Sequence, residues 1–285
     1  MKVAVLGARG MLGTDLMAEL EPSHETLGLD LPECDILAAG ALAAALQPLA
    51  ADVVINCAAY TDVDGAESNR DQAYALNAKG AGLAAEAARD AGALFVQIST
   101  DYVFDGLKDQ PYTEDDATHA ISAYGASKLA GEEQVIAAGG DWLIVRTQSL
   151  FGVHGKNFVE AILARAEQTG ELDVVQDQVS SPTYTVHLAQ GVRRLIELPR
   201  GQVAGRIVNV ANRGACSWFE FARAIVARAH PRTEVRPTTA ASFGRPAPRP
   251  PHSVLDTARY EALTGRQMPT WEEALEAYLD SKPGQ

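Results

Sequence analysis

Residues 2–13 of the chain read KVAVLGARGMLG, and this stretch decides the fold. The apolar run from Lys2 to Leu6 is typical of a short buried strand, and the apolar spacing that begins at Met11 predicts a helix. Three glycines separate the two elements with the spacing G-x-x-G-x-x-G. A strand, a glycine turn and a helix in this order predict a dinucleotide-binding site.

Each glycine of the turn has a separate expected role. Gly7 permits the tight turn, Gly10 lets the backbone approach a pyrophosphate, and Gly13 lets the helix pack closely on the strand. The first N–H groups of the helix offer a phosphate hydrogen bonds and the positive end of the helix dipole. We therefore assign cofactor contacts to Gly7, Gly10, Met11, Leu12 and Gly13.

Strand and helix patterns alternate through the first half of the chain. Further buried strands are predicted at residues 25–29, 52–56, 94–98 and 142–145. Such alternation implies right-handed crossovers and a parallel sheet, with ligands beyond the carboxyl ends of the strands. The expected fold class is α/β: a Rossmann-type doubly wound parallel sheet with a smaller C-terminal α/β substrate lobe.

The domain boundaries follow from a change of pattern after Gly152. Residues 1–150 and about 184–210 are expected to form the NAD(P)-binding Rossmann domain, with a strand at 207–210 that returns to the main sheet. Residues of about 151–183 and 211–285 are expected to form the substrate-binding lobe. The proline-rich run 245–251 is expected to brace this lobe in an extended conformation.

Composition excludes several classes of function. The 285 residues carry a net charge of −13, which disfavours nucleic-acid binding. No apolar run is long enough to cross a membrane, and no signal-type segment is present, so a cytoplasmic location is expected. The three cysteines are far apart and odd in number, which argues against a disulfide framework.

Asp30 ends the second predicted strand. An acidic residue there can accept hydrogen bonds from an adenosine ribose and would repel a 2′-phosphate, which favours NADH over NADPH. A plain surface carboxylate is the alternative interpretation. The remaining predicted cofactor contacts are Asp35, Ile36, Ala58, Ala59, Tyr60 and Asn77.

Thr100, Tyr124 and Lys128 are the predicted catalytic residues. Tyr124 and Lys128 are four residues apart on a predicted helix and share a face, and Ser99-Thr100 follows a buried strand. A nearby ammonium is expected to lower the pKa of the phenol from its usual value of about 10. Such a tyrosine exchanges a proton with a carbonyl or alcohol oxygen. A lone Tyr-x-x-x-Lys pair is more often a solvated helix face, so the glycine turn and the hydroxyls carry the interpretation.

These motifs also carry a family resemblance. The chain resembles the extended short-chain dehydrogenase/reductase family, and within it the reductases of dTDP-4-dehydro-6-deoxy sugars, over nearly its whole length. The string Ser99-Thr100-Asp101-Tyr102-Val103-Phe104 is its most specific part. The other matching segments are residues 7–13, 56–64, 124–128, 146–147, 155–158, 178–184 and 249–256.

The resemblance implies hydride transfer from NAD(P)H to the C4 ketone of dTDP-4-dehydro-6-deoxy-L-mannose (dTDP-4-dehydro-β-L-rhamnose), which gives dTDP-L-rhamnose. By position, Tyr124 would be the proton donor, Lys128 its tuner and ribose ligand, and Thr100 the hydroxyl that orients O4. Asp101 and Tyr102 would contact the sugar. The further candidates for substrate contact are Ser149, Asn157 and Gln178.

Two departures from the family pattern matter. Ser149 stands where some members have a tryptophan that packs on the substrate. Some members bind Mg²⁺ at a dimer contact through acidic residues, one of which falls at Asp15. A lone exposed acid is more often simply solvated, so no metal site is assigned, and a monomer or a homodimer is expected.

Two alternatives stay open. One is another nucleotide-sugar enzyme of the same fold, an epimerase or a 4,6-dehydratase. Dehydratases need a second carboxylate after the active-site Thr-Asp, and here Tyr102 follows Asp101. The other is a non-catalytic regulatory subunit similar to the methionine adenosyltransferase β subunit, because fold alone does not imply activity.

Overall fold

A parallel six-stranded sheet forms the centre of the molecule, and the computed structural model describes residues 1–282. The strands in chain order are β1 (Lys2–Leu6), β2 (Glu25–Leu29), β3 (Val53–Asn56), β4 (Leu94–Thr100), β5 (Trp142–Thr147), β6 (Leu150–Phe151), β7 (Glu171–Val175), β8 (Val179–Ser180), β9 (Thr183–Tyr184), β10 (Arg206–Asn209), β11 (Cys216–Ser217) and β12 (Glu234–Thr238). The central sheet has the order β10-β5-β4-β3-β1-β2, and every neighbouring pair is parallel. The predicted fold class is confirmed, and the last strand of the sheet returns from after the lobe segment as expected.

Helices connect the strands. They are α1 (Met11–Leu20), α2 (Ala39–Leu49), α3 (Gly65–Ser68), α4 (Arg70–Tyr74), α5 (Ala81–Asp90), α6 (Ala123–Ala138), α7 (Phe158–Gln168), α8 (Thr185–Ile196), α9 (Arg200–Val203), α10 (Trp218–Ala229), α11 (Ala258–Thr264) and α12 (Trp271–Asp280). Among residues 1–282, none of these helices combines the length and the apolar character that crossing a bilayer requires.

Both faces of the central sheet are buried. Val3 and Val5 of β1 join a core with Leu16 of α1 and Leu188 of α8. Successive side chains of a strand point to opposite faces, so Ala4 and its neighbours join a second core with α2 and α5. Burial of one such leucine contributes about 1.5–3 kcal/mol, and these two cores hold the strands whose ends carry the site.

A third core lies in the C-terminal lobe. Three two-stranded sheets, β7 with β12, β8 with β11 and β6 with β9, surround it together with α7, α10 and α12. Its centre is aromatic: Phe151 lies 5.6 Å from Tyr184, 5.5 Å from Phe221 and 5.4 Å from Tyr278, measured between ring centroids. We propose that the predicted division into two domains follows these cores. Residues 283–285, the end of the predicted lobe, lie outside the described residues.

The proline-rich run 245–251 contains no helix or strand and reaches from the lobe to the Rossmann side. Asp64, in the loop after β3, accepts hydrogen bonds from the Ala247 backbone N–H at 3.2 Å and from both terminal nitrogens of Arg249 at 3.0 and 2.8 Å. The run therefore ties the two parts of the molecule together, which goes beyond the expected brace of the lobe alone.

The predicted long helix over residues 72–91 is interrupted. Residues Ala75–Gly80 form a π-helical turn between α4 and α5. The side chain of Asn77 explains the extra residue, because its amide hydrogen-bonds the Tyr60 backbone at 2.8 and 3.0 Å and the Ser127 hydroxyl at 2.9 Å. A tertiary contact has overridden the regular helical period here.

Gly13→Ala is expected to lower the free energy of unfolding. A Cβ at Gly13 would lie 2.1 Å from the Gly7 carbonyl oxygen, and this backbone atom cannot move without a change in the turn. Overpacking costs about 1–3 kcal/mol, which exceeds the ~1 kcal/mol that alanine gains over glycine inside a helix. Urea unfolding measures the difference.

Gly40→Ala in α2 is the matched control, since a Cβ there has nothing within 4 Å, and it should leave stability unchanged or raise it. A Gly13→Ala protein as stable as the unmodified one would contradict this account of the turn.

Candidate active site

A cavity of about 1000 Å³ lies at the carboxyl ends of the central strands. This is the edge at which doubly wound sheets bind ligands. Its walls come from the glycine turn, the ends of β2 to β5, one face of α6, the loop before α7 and the start of α10. The predicted site residues that line it are Gly7, Gly10, Met11, Leu12, Gly13, Asp30, Asp35, Ile36, Ala58, Ala59, Thr100, Asp101, Tyr102, Tyr124, Lys128 and Ser149.

The glycine turn has the geometry of a phosphate cradle. Gly7 has a φ of +74°, and a Cβ there would lie 2.6 Å from the Ala58 N. Gly10 is the N-cap residue of α1 and supplies no side-chain hydrogen bond, so the first N–H groups of the helix stay available at the cavity wall. These residues fit the pyrophosphate of a dinucleotide, as the sequence predicted.

Asp30 lies half-buried at the end of β2. Its Oδ2 accepts a hydrogen bond from the Arg9 backbone N–H at 2.8 Å, and its Oδ1 accepts one from the Leu31 N–H at 2.8 Å. The Arg9 guanidinium donates to the Leu31 carbonyl and to Glu33 Oε1, the latter at 2.8 Å. Sequence reasoning missed Arg9, a cation that lines the cavity beside the predicted ribose ligand.

Thr100, Asp101 and Tyr124 meet where β4 ends. The Thr100 hydroxyl donates to Asp101 Oδ1 at 2.9 Å, and it is near enough to the Tyr124 phenol to lower the pKa of that phenol. The Tyr102 ring stands edge-on to that of Tyr124, with 5.7 Å between centroids. The hydroxyls predicted to act together are therefore adjacent.

Helix α6 holds Tyr124 and Lys128 in place. Ser122 caps the helix by accepting a hydrogen bond from the Gly125 N–H at 3.1 Å. Lys128 is 5% exposed, and its Nζ donates to the Ile98 carbonyl oxygen at 2.7 Å. The ammonium thus lies against strand β4, at the wall of the cavity.

Burial dominates the pKa values at this site. It raises the pKa of Tyr124 to about 12, while the nearby Thr100 hydroxyl acts in the opposite direction. Burial also lowers the pKa of Lys128 to about 8. The sequence predicted that Lys128 would lower the pKa of Tyr124; the structure differs, because desolvation outweighs any nearby charge and the ammonium is turned to Ile98.

Four predicted site residues do not line the cavity. Tyr60 packs its ring among alanines near α3 and α4, and Asn77 holds the Tyr60 backbone in place. Asn157 caps α7 by accepting from the Glu160 N–H at 3.1 Å, and its Nδ2 donates to the Gly152 carbonyl at 2.7 Å. Gln178 contributes its carbonyl to the start of α10. All four make contacts within the protein in these positions, and their contact with a ligand stays a prediction.

The cavity also contains residues from the lobe that the sequence did not reveal as site residues. These are His154, Gly155, Lys156 and Trp218. The loop at 154–156 precedes α7, and Trp218 is the first residue of α10. Gly155 and Lys156 lie in the matching segment 155–158 but were not assigned to the site, and the fold brings all four residues to the cavity from distant parts of the chain.

Asp15 is not the exposed acid that the sequence suggested. It is 7% exposed, accepts a hydrogen bond from the Thr185 hydroxyl and lies 3.6 Å from His154 Nε2. Burial raises its pKa. Within residues 1–282 no three His, Cys, Asp or Glu side chains are grouped so as to hold a metal ion.

Comparison with known proteins gives the family. The model of the family described as RmlD substrate binding domain matches residues 1–282. The chain belongs to the RmlD family. This match and the relatives described next confirm the predicted resemblance to dTDP-4-dehydrorhamnose reductases.

Two relatives and one solved structure illustrate how close this RmlD chain is to characterised sequences. Spore coat polysaccharide biosynthesis protein SpsK of Bacillus subtilis is 40% identical, with 99% of this chain and 98% of that protein covered. A dTDP-4-dehydrorhamnose reductase of Burkholderia thailandensis is 38% identical, with 96% and 97% covered. The crystal structure of a dTDP-4-dehydrorhamnose reductase from Bacillus anthracis in complex with NADP has a TM-score of 0.93 and 38% identity, with 99% of each chain covered. The predicted enzyme class, a nicotinamide-dependent oxidoreductase, agrees with these names.

Asp101→Asn is expected to change stability in a pH-dependent way. Burial raises the pKa of Asp101 from 3.8 to about 6, and the nearby Ser253 and Thr100 hydroxyls offset this only in part. A carboxyl with a raised pKa costs nothing while it is protonated, and it destabilises the fold increasingly as pH rises from about 4 to 6. The asparagine variant should gain up to ~3 kcal/mol relative to the unmodified protein between pH 4 and 7.

Urea unfolding at several pH values measures this gain, and exposed Asp109→Asn is the matched loss of one carboxylate. An Asp101→Asn effect that is the same at every pH would show that Asp101 ionises as freely in the fold as in the unfolded chain.

Proposed function

We propose that the chain reduces the C4 ketone of dTDP-4-dehydro-6-deoxy-L-mannose to dTDP-L-rhamnose with NADH or NADPH, with Tyr124 as the proton donor. The observation that carries this proposal is the meeting of Thr100 and Tyr124 at the strand end, inside the cavity that begins at the glycine turn. The dTDP-4-dehydrorhamnose reductases among the relatives support the sugar.

Different residues of the cavity bind different parts of the cofactor. The backbone N–H groups of residues 11–13 bind the pyrophosphate, Asp30 accepts from the adenosine ribose, and Ala58 and Ala59 leave room for the cofactor beside the backbone. Lys128 binds the nicotinamide ribose. The bound nicotinamide supplies the hydride.

The protein supplies position and the proton. With a pKa of about 12 the Tyr124 phenol is fully protonated at neutral pH, so it can donate to the ketone oxygen as negative charge develops there. The Thr100 hydroxyl lies near the phenol at the end of β4 and orients the same oxygen. The negative charge left on Tyr124 is then stabilised by the Lys128 ammonium one helical turn away.

The sugar lies beside Thr147, Ser149 and Asp101 in this proposal. Thr147 Oγ1 is buried in the cavity wall without a hydrogen-bond partner among residues 1–282, so it is available to a sugar hydroxyl. Ser149 has a φ of +47° and its Oγ lies 2.8 Å from that of Ser180. Trp218, which also lines the cavity, offers an aromatic surface for a sugar, since Ser149 offers none.

The alternatives differ in their redox balance. An epimerase or dehydratase regenerates its cofactor in each turnover, and Tyr102 occupies the position where a dehydratase needs its second carboxylate. A regulatory subunit would bind the cofactor without turnover. The pure protein with the 4-dehydro sugar and NADPH distinguishes all three by the amount of NADPH consumed.

We expect one NADPH oxidised for each dTDP-L-rhamnose formed. Tyr124→Phe should lower kcat by about 10²–10⁴-fold, the usual contribution of a general acid, while NADPH still binds, because the ring and its packing remain. Product analysis and stopped-flow absorbance at the nicotinamide band measure both quantities.

Tyr74→Phe, which removes an exposed phenol, is the control and should be fully active. Turnover without net oxidation of NADPH would refute the reductase, and a Tyr124→Phe enzyme of normal kcat would refute Tyr124 as the acid.

Cofactor preference is expected to depend on Arg9 and Glu33. Asp30 favours NADH, but the Arg9 guanidinium beside it can bind a 2′-phosphate if it leaves Glu33. Loss of one charge-assisted hydrogen bond of ~1.5–3 kcal/mol corresponds to roughly a tenfold change or more. Arg9→Ala should therefore raise KM for NADPH at least about tenfold and leave KM for NADH nearly unchanged.

Glu33→Gln should act in the opposite direction, because it removes the competing carboxylate. Equal effects of Arg9→Ala on both cofactors would show that Arg9 takes no part in the choice.

A further inference from the structure

An ion pair is buried below the face of α6 that carries Tyr124 and Lys128. Arg146 of β5 donates from Nη2 to Glu132 Oε2 at 2.7 Å and from Nε to Glu132 Oε1 at 3.0 Å. Both side chains are 3% exposed. The reaction proposed above uses neither of them.

The pair joins three elements of the Rossmann domain. The Ser99 hydroxyl of β4 donates to Glu132 Oε1 at 2.5 Å, and Ser99 is the register partner of Arg146 in the sheet. The Arg146 guanidinium also lies over the Phe104 ring, 5.1 Å from its centroid. The Glu132 carboxylate is therefore held in one position by a bidentate arginine and a hydroxyl.

A contribution to the stability of the fold is a weak explanation for a buried ion pair. Burial of two charges costs desolvation energy, and replacement by apolar residues of similar volume is often neutral or stabilising. A buried carboxylate next to a functional lysine has a more specific consequence. Glu132 follows Lys128 by one helical turn, on the same face of α6.

Lys128 needs a counter-charge because its surroundings favour the neutral amine. Burial lowers its pKa to about 8, and the charge of Glu132 acts against this shift. Of the other groups that face this part of α6, the Cys57 thiol and the Tyr124 phenol are neutral near pH 7, since burial raises both of their pKa values to about 12. Asp101 is engaged with Thr100, and Arg146 is paired with Glu132 itself.

We propose that Glu132, held by Arg146 and Ser99, is a positioning residue that keeps Lys128 in its ammonium form for binding the cofactor and supporting Tyr124. The proposal rests on the function proposed above only for the roles of Lys128 and Tyr124. The identity of the sugar does not enter it.

The test measures how NADPH binding depends on pH. Fluorescence titration of the full chain should show affinity that declines as Lys128 loses its proton in alkaline solution. In Glu132→Gln this decline should begin about one pH unit lower, since a neighbouring opposite charge shifts a pKa by one unit or more. The alkaline limb of kcat/KM should move in the same direction.

Two further variants separate charge from fold. Glu132→Gln combined with Arg146→Met removes both charges and leaves no unpaired ion, and it should shift the decline in the same direction but by less, because a neighbouring cation is removed together with the carboxylate. Glu133→Gln removes an exposed carboxylate from the next position of the same helix and should shift nothing.

A Glu132→Gln protein with reduced activity but an unchanged pH profile would overturn the proposal, because the pair would then be only structural. Failure of both Glu132 variants to fold would overturn it in the same way. The binding titration needs no sugar, so it gives its answer even if the unmodified protein fails to reduce the 4-dehydro sugar, which would refute the proposed function alone.

Discussion

Close contact between α6 and two segments of backbone is the constraint on which the active site depends. A Cβ at Gly125 would lie 2.2 Å from the Tyr102 carbonyl oxygen, and one at Gly131 would lie 2.1 Å from the Asn77 carbonyl oxygen. Only glycine lets the helix lie this deep at both points. The close approach brings Tyr124 to the end of β4, and it buries Lys128 and Glu132 against the sheet. The π-helical turn at Ala75–Gly80 is the surface that receives the helix on its other side.

Desolvation determines the electrostatics of this site. The same burial that keeps Tyr124 a neutral acid makes Lys128 reluctant to hold its proton, so one physical effect both helps and hinders the proposed chemistry. A hydroxyl and a fixed charge partly offset these shifts. The Thr100 hydroxyl lowers the pKa of Tyr124, and the Glu132 carboxylate raises the pKa of Lys128. Because these corrections work in a dry environment, they act more strongly than they would in water.

The sequence allowed the sheet and most of the cavity to be predicted, because apolar runs mark buried strands and the glycine turn marks the first crossover. The ends of β1 and β2, for example, were predicted to the residue. What the sequence could not reveal depended on contacts distant in the chain. The amide of Asn77 binds the Tyr60 backbone, and the side chain of Asn157 caps α7; neither contact could be read from the spacing of the motifs. Spacing placed Lys128 on the face of Tyr124, but it could not reveal that Ile98 would attract its ammonium.

The late position of edge strand β10 in the chain has a consequence for folding during synthesis of the protein. The strand pairs with β5 although some sixty residues of other structure separate them, and Asn209 at its end donates from Nδ2 to the Tyr112 carbonyl oxygen at 2.9 Å. A chain that emerges from the ribosome with its N-terminus first can form five of the six strands early, but the sheet stays open at β5 until residue 209 has been synthesised. During that interval the exposed β5 edge is a template for pairing with another nascent chain. Slow translation across the lobe segment would lengthen this interval, and a chaperone that covers strand edges would protect it.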